Sequence, residues 1–478
     1  MRFTIVILQA AIVALALALP CFNQVATATE LRIGVATIDI TAPIGYRLCG
    51  YFNERPSTGT HDPLMAKALV LRQGDQSAAI IVCDLIGVGS EITQAVRKAV
   101  HEQTGIPKSN ITVAATHSHT GPLFGGALRN HLHDVAVAAN PEKRDPRETV
   151  DYPRQLTERL VEAIVKADKA AKPGRIAAGM TTRDDISFNR RFHMKNGTVQ
   201  FNPGKLNPDI VRAAGPIDPD VGVLAVQDAA GKPVAALTVF ALHLDTVGGT
   251  EYSADYPYYL EEKLREKLGA DFVSLFGNGT CGDINHIDVR HNRPQGGQAE
   301  AKRIGDALAE TVAVAMPELA ASKTPRLAVR SGVAEVPLQT FTVAELGESQ
   351  RNMFKVGQRQ LPFLEEVRAC TIVDLHLYNQ RRDGLYPLEV QAIRLDDETA
   401  VVCLPGEVFV ELGLSIKRAS PFKRTMVIEL CNDSPAYIPT RKAFAEGSYE
   451  AVNSRVQTGG GEKMVEVAVR LLGELKKE

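Results

Sequence analysis

Short apolar runs alternate with amphipathic stretches along most of this chain, and this alternation is the feature that most constrains its fold. Apolar runs bounded by turn residues are typical of buried strands, whereas a 3.6-residue apolar period is typical of helices packed on a sheet. The predicted strands are Ala66–Leu71, Ala78–Cys83, Ile111–Ala115, Val221–Val226, Val234–Leu242, Phe272–Phe276, Leu388–Leu395 and Ala400–Leu404. The predicted helices are Glu91–Thr104, Tyr152–Ala170, Tyr256–Leu268, Glu300–Val314 and Gly461–Leu475. This order predicts an α/β fold with a mixed β-sheet flanked by helices.

Two polar stretches interrupt the pattern. Arg129–Pro153 and the proline-containing residues 202–220 are predicted to be long loops. The chain shows no internal repeat and no low-complexity linker. We therefore expect residues 29–478 to form one large catalytic domain.

The first residues predict export from the cytoplasm. Arg2 supplies a positive charge, Phe3–Leu19 is an apolar run, and Ala26-Thr27-Ala28 is a small-residue cleavage site. This order is typical of a secretory signal peptide, and the apolar run is too short for a membrane span. We expect residues 1–28 to be removed and the mature chain to be secreted or periplasmic, without a transmembrane span.

The charge balance restricts the partners. The chain has 54 basic and 56 acidic residues, which gives a formal net charge of −2. A nearly neutral chain argues against nucleic acid or an anionic membrane surface as the main partner. The seven cysteines are scattered and form no C-x-x-C motif, which argues against a dense disulfide scaffold.

Polar residues that directly follow an apolar strand are candidate site residues, because ligands of α/β sheets bind at the carboxyl ends of strands. Ile111–Ala115 leads directly into the run Thr116-His117-Ser118-His119-Thr120-Gly121-Pro122. Imidazole is the commonest zinc ligand, and a second imidazole nearby can carry a proton. We favour a functional histidine pair over two ordinary polar residues, because a Gly-Pro turn follows at once.

Three further candidates occupy similar positions. His243 follows the apolar run Val234–Ala241, Glu407 follows a Pro-Gly turn, and Tyr437 and Tyr449 bracket a short polar segment. Each has an ordinary alternative: a buried core histidine, a carboxylate at a helix start, and half-buried packing tyrosines. A phenol can also bind a metal or donate a hydrogen bond to an oxyanion.

Several common site motifs are excluded. Gly277–Gly282 fits the pattern G-x-G-x-x-G, but the residues after it lack a helical period, so we expect no dinucleotide site. The chain contains no G-x-S-x-G, Walker loop or H-E-x-x-H motif. These absences argue against the common serine-hydrolase, nucleotide-hydrolase and zinc-protease templates.

Three motifs, taken in order, resemble those of the neutral/alkaline non-lysosomal ceramidase family. They are Gly34–Pro43, Gly59–Leu64 and Thr116–Pro122, and the resemblance extends from about Leu31 to the C-terminus. It implies a secreted zinc-dependent hydrolase that cleaves the amide bond of an N-acyl lipid with zinc-activated water. The implied substrate is ceramide, which yields a sphingoid base and a fatty acid, or a related N-acyl compound.

The resemblance also implies a role for each candidate residue. The implied zinc (Zn²⁺) ligands are His117, His243, Glu407 and Tyr437. The implied catalytic residues are His119 as acid and base, Arg190 facing the substrate, and Tyr449 at the oxyanion. Two histidines, a carboxylate and a phenol form a plausible ligand set for a water-activating zinc ion.

Two departures from the family pattern bear on this interpretation. Asn285 stands where the family has a serine that has been cast as a nucleophile, which argues against a serine mechanism and alters the headgroup loop. The chain ends at Glu478, so we expect the family's C-terminal immunoglobulin-like domain to be absent.

Alternative functions therefore stay open at the level of sequence. One is a zinc amidase or esterase that acts on a substrate other than ceramide. Another is a metal-dependent esterase or phosphatase in which Asp39, Asp84 and Asp283 bind a harder metal such as magnesium, although these residues fit strand-end hydrogen-bond acceptors better. A third is a non-catalytic binding protein that retains the fold.

Overall fold

Strands and helices alternate along the chain in a computed structural model, which describes residues 30–478. The strands are β1 Leu31–Asp39, β2 Gly59–Thr60, β3 Met65–Gln73, β4 Gln76–Cys83, β5 Ile111–Ala115, β6 Lys172–Thr182, β7 Phe188–Asn189, β8 Arg191–Met194, β9 Val199–Phe201, β10 Ile210–Ala213, β11 Asp220–Asp228, β12 Pro233–Phe240, β13 Glu251–Tyr252, β14 Val273–Asn278, β15 Ile284–Asn285, β16 Ala328–Pro337, β17 Leu385–Arg394, β18 Thr399–Cys403, β19 Glu407–Val408, β20 Arg424–Ile428 and β21 Tyr437–Ile438. The helices are α1 Ser90–Thr104, α2 Gly126–Ala139, α3 Tyr152–Lys169, α4 Tyr256–Leu268, α5 Gln298–Ala315, α6 Val343–Asn352, α7 Phe363–Arg382, α8 Val410–Ala419, α9 Arg441–Glu446, α10 Tyr449–Val452 and α11 Gly460–Lys477.

Two sheets hold most of the long strands. The larger has eight strands in the order β14-β12-β11-β6-β1-β3-β4-β5, and the smaller has four in the order β16-β17-β18-β20. Pairing in the larger sheet is parallel only at its two ends, between β12 and β14 and between β4 and β5. In its middle, β1 and β6 pair only at Arg32–Pro173 and Ile33–Lys172, so the sheet divides into two four-stranded halves.

A buried apolar cluster is shared by both halves of the large sheet and by the small sheet. It includes Leu71 and Ile80 from one half, Leu237 from the other, and Val401 and Met426 from the small sheet. Strands that are buried on both faces carry nearly continuous apolar runs, which is the pattern by which the sequence predicts them. The three four-stranded units therefore enclose one central core.

Helices cover the outer faces of these units. Apolar residues of α1 and α3 pack on β1, β3, β4 and β5, those of α4 and α5 pack on β11 and β12, and those of α11 pack on the small sheet. The closest of these contacts is at Gly34 of β1, where a side-chain Cβ would lie 1.8 Å from the Ala167 carbonyl oxygen of α3. Glycine is therefore required for this helix to rest directly on the strand.

The predicted fold class, α/β with a mixed sheet flanked by helices, is confirmed. All the predicted strands and helices overlap observed ones, and α4 has the predicted limits. The predicted loop Arg129–Pro153 is wrong in its first part, because α2 extends to Ala139. This helix buries only Ala127, so its sequence lacks the apolar period by which a helix is recognised.

Three other sequence predictions concern a signal peptide, membrane spans and the cysteines. The predicted signal peptide, residues 1–28, lies outside the described residues. None of the helices in residues 30–478 has the length and hydropathy of a membrane span. The six cysteines in this part of the chain are all free thiols.

A buried ion pair connects the two halves of the large sheet. Lys67 of β3 donates to Glu261 of α4 at 2.6 Å and to the Ser274 carbonyl oxygen of β14 at 3.0 Å. Both charged side chains are 7% exposed. Since the Lys67 ammonium has lost its water, it depends on Glu261 for stabilisation, while Glu261 also pairs with Arg265 at 2.9 Å.

We expect Glu261→Ala to lower the free energy of unfolding by about 3–5 kcal/mol, because it leaves the Lys67 ammonium buried without its carboxylate. Urea denaturation monitored by circular dichroism measures this loss. The matched control is the double variant Lys67→Met/Glu261→Leu, which removes both charges and should recover most of the lost stability. A single variant as stable as the unmodified protein would contradict the assignment.

Candidate metal centre and catalytic cavity

The candidate site lies where the carboxyl ends of several strands meet. His117 follows β5, His243 follows β12, Glu407 follows β18, and Tyr437 follows β20. Hydrogen bonds from one segment, Glu429–Asn432, hold these ends together. Parallel strands end on the same side of a sheet, and this explains why residues so distant in sequence converge here.

The segment Glu429–Asn432, called the crossing segment below, bonds to both edge strands of the large sheet. The Glu429 amide donates to the carbonyl of Asn278 in β14 at 2.9 Å, and the Asn432 amide donates to the carbonyl of Val113 in β5 at 2.6 Å. Its Leu430 amide donates to the Gly406 carbonyl, next to Glu407, at 3.1 Å. The crossing segment therefore fixes the loops that carry His117 and Glu407 relative to each other.

The two candidate ligand histidines have the same hydrogen-bonding arrangement. The Nδ1 of His117 donates to the Ile86 carbonyl at 2.8 Å, and the Nδ1 of His243 donates to the Cys281 carbonyl at 3.5 Å. A carbonyl oxygen can only accept, so in each neutral ring the proton lies on Nδ1 and the lone pair on Nε2. The two Nε2 atoms lie 3.0 Å apart, with both rings almost fully buried.

Glu407 adds a third basic atom to this pair. Its Oε2 lies 3.3 Å from the Nε2 of His117 and 3.8 Å from that of His243, and it is buried without a hydrogen-bond partner. Two lone pairs and a carboxylate oxygen thus face one small space, an arrangement that a cation would stabilise.

Tyr437 lies beside Glu407 because of a short parallel ladder. Strands β19 and β21 pair Glu407 directly with Tyr437. Burial, reinforced by the Glu407 carboxylate, raises the pKa of Tyr437 well above its usual range. The structure therefore brings together all four residues for which the family resemblance implies zinc binding.

His119 lies on the cavity side of this group. Its ring centroid is 5.0 Å from that of His117 and 5.2 Å from that of His243, and the three rings have nitrogen atoms within 4.8 Å of one another. Both ring nitrogens of His119 are buried without a hydrogen-bond partner. Burial lowers the pKa of His119 to about 3, so the ring is neutral at neutral pH.

A surface loop covers His119 from outside. The Tyr51 ring contacts the His119 ring edge-to-face with centroids 5.5 Å apart, and the Arg55 guanidinium stacks 4.2 Å from the Tyr51 ring centroid. Arg55 also donates to the His119 carbonyl at 2.8 Å. The sequence analysis did not identify Tyr51 or Arg55, because nothing in their spacing links them to the histidine run.

His117 and His119 line the same cavity, which sequence alone could not establish. This cavity has a volume of about 190 Å³, and Glu407, Tyr437 and Tyr449 also line it. The rings of Tyr437 and Tyr449 lie 5.3 Å apart, and burial raises the pKa of Tyr449 to about 12. Tyr449 therefore keeps its phenolic proton at neutral pH and can donate a hydrogen bond to an oxyanion.

Arg190 is close to the site but does not line the cavity. Its guanidinium donates to Glu450 at 3.0 Å and to the Gly282 carbonyl at 2.8 Å, and its central carbon lies 5.4 Å from the Tyr437 ring centroid and 5.9 Å from that of Tyr449. The side chain is almost fully buried. This position gives Arg190 contact with the two tyrosines rather than with the cavity.

The position of the missing family serine is also away from the cavity. Asn285 is buried, its side-chain amide donates to Asn202 at 2.9 Å, and its oxygen accepts from the Ile287 amide at 3.0 Å. Its strand β15 pairs with β7. The sequence analysis expected Asn285 to alter a loop beside the substrate. In this structure its side chain instead forms hydrogen bonds within the loops and does not line the cavity.

The acidic residues considered for a harder metal have structural partners instead. Asp39 accepts from Thr41, Asp84 from Met65, and Asp283 from Val410. In the part of the chain that the structure describes, none of the three acidic residues belongs to a group of three or more side chains close enough to share a metal ion.

A second group of side chains close enough to share a metal ion is partly buried, and arginines pair with its carboxylates. It consists of His133, Asp145 and Glu148. Arg47 donates to Asp145 at 2.6 Å, and Arg129 donates to Glu148. Guanidinium groups therefore already occupy the carboxylates that a metal would need.

The sequence of this chain is similar to a known protein family and to several of its members. Residues 31–287 match the family model described as "Neutral/alkaline non-lysosomal ceramidase, N-terminal". The neutral ceramidase of Pseudomonas aeruginosa is 27% identical over 273 residues, which cover 53% of this chain and 37% of that protein. Neutral ceramidase B of Dictyostelium discoideum is 26% identical over 272 residues, which cover 54% of this chain and 36% of that protein.

A likeness in structure covers more of the chain. The crystal structure of neutral ceramidase from Pseudomonas aeruginosa matches with a TM-score of 0.70 and 19% identity, over 94% of this chain and 75% of that one. The sequence alignments, in contrast, span less than two fifths of the length of the curated relatives. The family match includes His117 and His243, whereas Glu407 and Tyr437 lie beyond it, in the part for which the shared fold alone is shown.

Gly282 allows the closest backbone contact at the centre. A Cβ there would lie 2.5 Å from the Glu407 carbonyl oxygen, so Gly282→Ala must displace the Glu407 loop. We expect about a 10- to 100-fold loss of affinity for zinc, the metal that the sequence predicts, as for other changes that misplace a ligand. Competition with a chromogenic chelator measures this loss.

The control for this variant is Gly89→Ala, because no atom lies within 4 Å of the position its Cβ would take. This control should bind zinc as the unmodified protein does. Equal zinc affinity in Gly282→Ala and Gly89→Ala would show that the metal ligands are elsewhere.

Proposed function

This chain belongs to the neutral/alkaline non-lysosomal ceramidase family, and on that premise we propose that it is a zinc-dependent hydrolase that cleaves the amide bond of an N-acyl compound. The observation that carries the proposal is the convergence of two histidine lone pairs and one carboxylate oxygen. The Nε2 atoms of His117 and His243 lie 3.0 Å apart with the Glu407 Oε2 beside them. A cation, either a metal ion or a shared proton, would offset the repulsion among these three basic atoms.

The donor set fits zinc. His117, His243, Glu407 and Tyr437 would hold the ion, and imidazole nitrogen with hard oxygen donors suits zinc better than magnesium or calcium. The backbone carbonyls that orient the two imidazoles are the usual partners of metal-binding histidines. A zinc ion bound there would act as a Lewis acid on a water molecule and on the amide carbonyl of the substrate.

His119 is the proposed acid and base. It lines the cavity, is neutral, and has no hydrogen bond that would have to break before it accepts a proton. We propose that it takes a proton from the attacking water and delivers it to the amine that leaves. Tyr51 and Arg55 hold the ring and its backbone in place for both steps.

Tyr449 is the proposed donor to the oxyanion that forms on the substrate. Its hydroxyl is protonated at neutral pH and lines the cavity. Arg190 would support this role through the tyrosines, because its charge lies behind both rings and not in the cavity. This changes the role implied by the family resemblance from direct substrate contact to positioning.

The proposed substrate is an N-acyl lipid, ceramide or a related amide. Aromatic side chains beside Tyr449 can pack against an acyl chain: the rings of Phe201 and Phe363 lie 4.7 and 5.4 Å from the Tyr449 ring. Asn285 does not line the cavity, so the loss of the family serine leaves the proposed water route intact. Secretion after removal of residues 1–28, and a single hydrolase domain over residues 29–478, remain part of the proposal.

Two histidine variants separate metal binding from proton transfer. We expect His117→Ala to lose both zinc and amide hydrolysis, because it removes one of the four ligands. His119→Ala should keep zinc but lose about 10²- to 10⁴-fold in kcat, the usual contribution of general acid–base catalysis. Zinc content by atomic absorption and release of free amine from N-acyl substrates measure the two effects.

His291→Ala is the control, since this side chain is 62% exposed and outside the cavity. It should match the unmodified protein in both measurements. Full hydrolysis by zinc-free His117→Ala would refute the proposed function, and full activity of His119→Ala would assign the proton transfer to another group.

A further inference from the structure

Three charged side chains line the catalytic cavity among the described residues. Glu407 belongs to the metal centre, and the other two, Asp374 and Arg455, form an ion pair of 2.6 Å in the cavity wall. Asp374 lies on α7, and Arg455 follows α10 closely in sequence. The Arg455 guanidinium is therefore the one cationic side chain that a substrate in this cavity would meet within residues 30–478.

Both carboxylate oxygens of Asp374 are engaged. Its Oδ1 accepts from the Ala127 amide at 2.7 Å, and its Oδ2 accepts from Arg455. Ala127 lies at the start of α2, where the helix dipole carries a partial positive charge. The Asp374 carboxylate is thus held by the helix start as well as by Arg455.

The guanidinium of Arg455 is held in one orientation. Besides Asp374, it donates to the Thr371 hydroxyl at 3.2 Å, to the Asn453 carbonyl at 3.0 Å and to the Asn453 side-chain oxygen at 3.0 Å. Arg455 is 7% exposed although it lines the cavity. A guanidinium held in one orientation loses little entropy when it binds a carboxylate. Its planar N–H donors also match the two carboxylate oxygens in geometry.

A short chain of hydrogen bonds connects Arg455 to the proposed reaction centre. The Asn453 side chain accepts from Arg455 and donates to the Tyr449 hydroxyl at 3.2 Å. Arg455 is therefore two hydrogen bonds from the proposed oxyanion donor. In an N-acyl amino acid, the carboxylate is separated from the amide nitrogen by a single carbon, so it would lie near Arg455 when the amide carbonyl is at Tyr449.

There is also room for such a group. Gly125 and Gly126 line the same cavity, and no atom lies within 4 Å of the position that a Cβ on either glycine would take. Apolar side chains of Phe52, Leu123 and Leu128 line other parts of the cavity and can contact an acyl chain.

We propose that Arg455 is a specificity residue that binds the carboxylate of an N-acyl amino acid, and that N-acyl amino acids are the preferred substrate class of this site. The proposal rests on the amide-hydrolase function proposed above and narrows its substrate. Reactions that attach fatty acids to amino acids through an amide bond would supply such a substrate, and hydrolysis would return the free amino acid and the fatty acid.

Binding of two matched probes tests the proposal independently of turnover. The probes are the ketone isosteres of N-hexanoylglycine and N-hexanoylethanolamine, in which a methylene replaces the amide NH, so neither can be hydrolysed. They differ only in carrying a carboxylate or a hydroxymethyl group. Calorimetry on the zinc-loaded protein should give about 10- to 100-fold tighter binding of the carboxylate probe, the usual contribution of charge-assisted hydrogen bonds.

Variants distinguish Arg455 from zinc as the group that binds the carboxylate. In Arg455→Met the ratio of the two affinities should fall to about one, whereas Arg144→Met, which changes an exposed arginine outside the cavity, should keep it. If Arg455→Met does not fold, Arg455→Lys serves instead and should lower the ratio about tenfold, since the lysine ammonium cannot reproduce the fixed orientation of the guanidinium donors.

Equal affinity of the unmodified protein for both probes would overturn the proposal, and so would an unchanged ratio in the Arg455 variant. The latter result would make the Asp374–Arg455 pair a structural contact only. Hydrolysis of N-hexanoylglycine and N-hexanoylethanolamine themselves is measured in parallel. A protein that prefers the carboxylate probe but hydrolyses neither amide would refute the proposed function and leave the assignment of Arg455 standing.

Discussion

The candidate metal centre depends on one short backbone connection, the crossing segment Glu429–Asn432. Its amides bond to the ends of β14 and β5, which are the two edge strands of the large sheet, and to the turn before Glu407. Leu430 and Asn432 adopt positive φ values of 56° and 67° to make these bonds. A leucine in this conformation is unfavourable by about 1 kcal/mol, so the bonds on both sides must stabilise it. The segment thereby converts three separate sheet units into one rigid site.

Charge explains the rest of the arrangement. His117 and His243 each donate a hydrogen bond from Nδ1 to a backbone carbonyl. This directs the lone pairs of both Nε2 atoms into the space that Glu407 also faces. Such a group of basic atoms is costly in a buried position, and a protein retains it where a ligand offsets the cost. His119 differs from them because neither of its nitrogens has a hydrogen-bond partner, which supports its proposed role in proton transfer.

Much of this could be predicted from sequence, and the limits are physical. The buried strands were recognisable because both faces are apolar, and His117, His243 and Glu407 stood out as polar residues directly after such strands. Helix α7 was missed because its buried positions do not form a single apolar stripe. The contacts of Arg190 with the tyrosines, and the pairing of Asp374 with Arg455, join residues 81 or more positions apart. No local pattern encodes contacts of that kind.

The two sides of the cavity are built from different parts of the fold. The proposed zinc ligands lie just after strands of the central core and next to the crossing segment, so the core fixes their positions. Asp374, Asn453 and Arg455 lie on or beside helices α7 and α10, and Ala127 on α2, which pack around the cavity from outside. A substitution in these helices can therefore change the charge that a substrate meets without moving the metal ligands. In this architecture the proposed reaction and the proposed substrate preference depend on different sets of contacts.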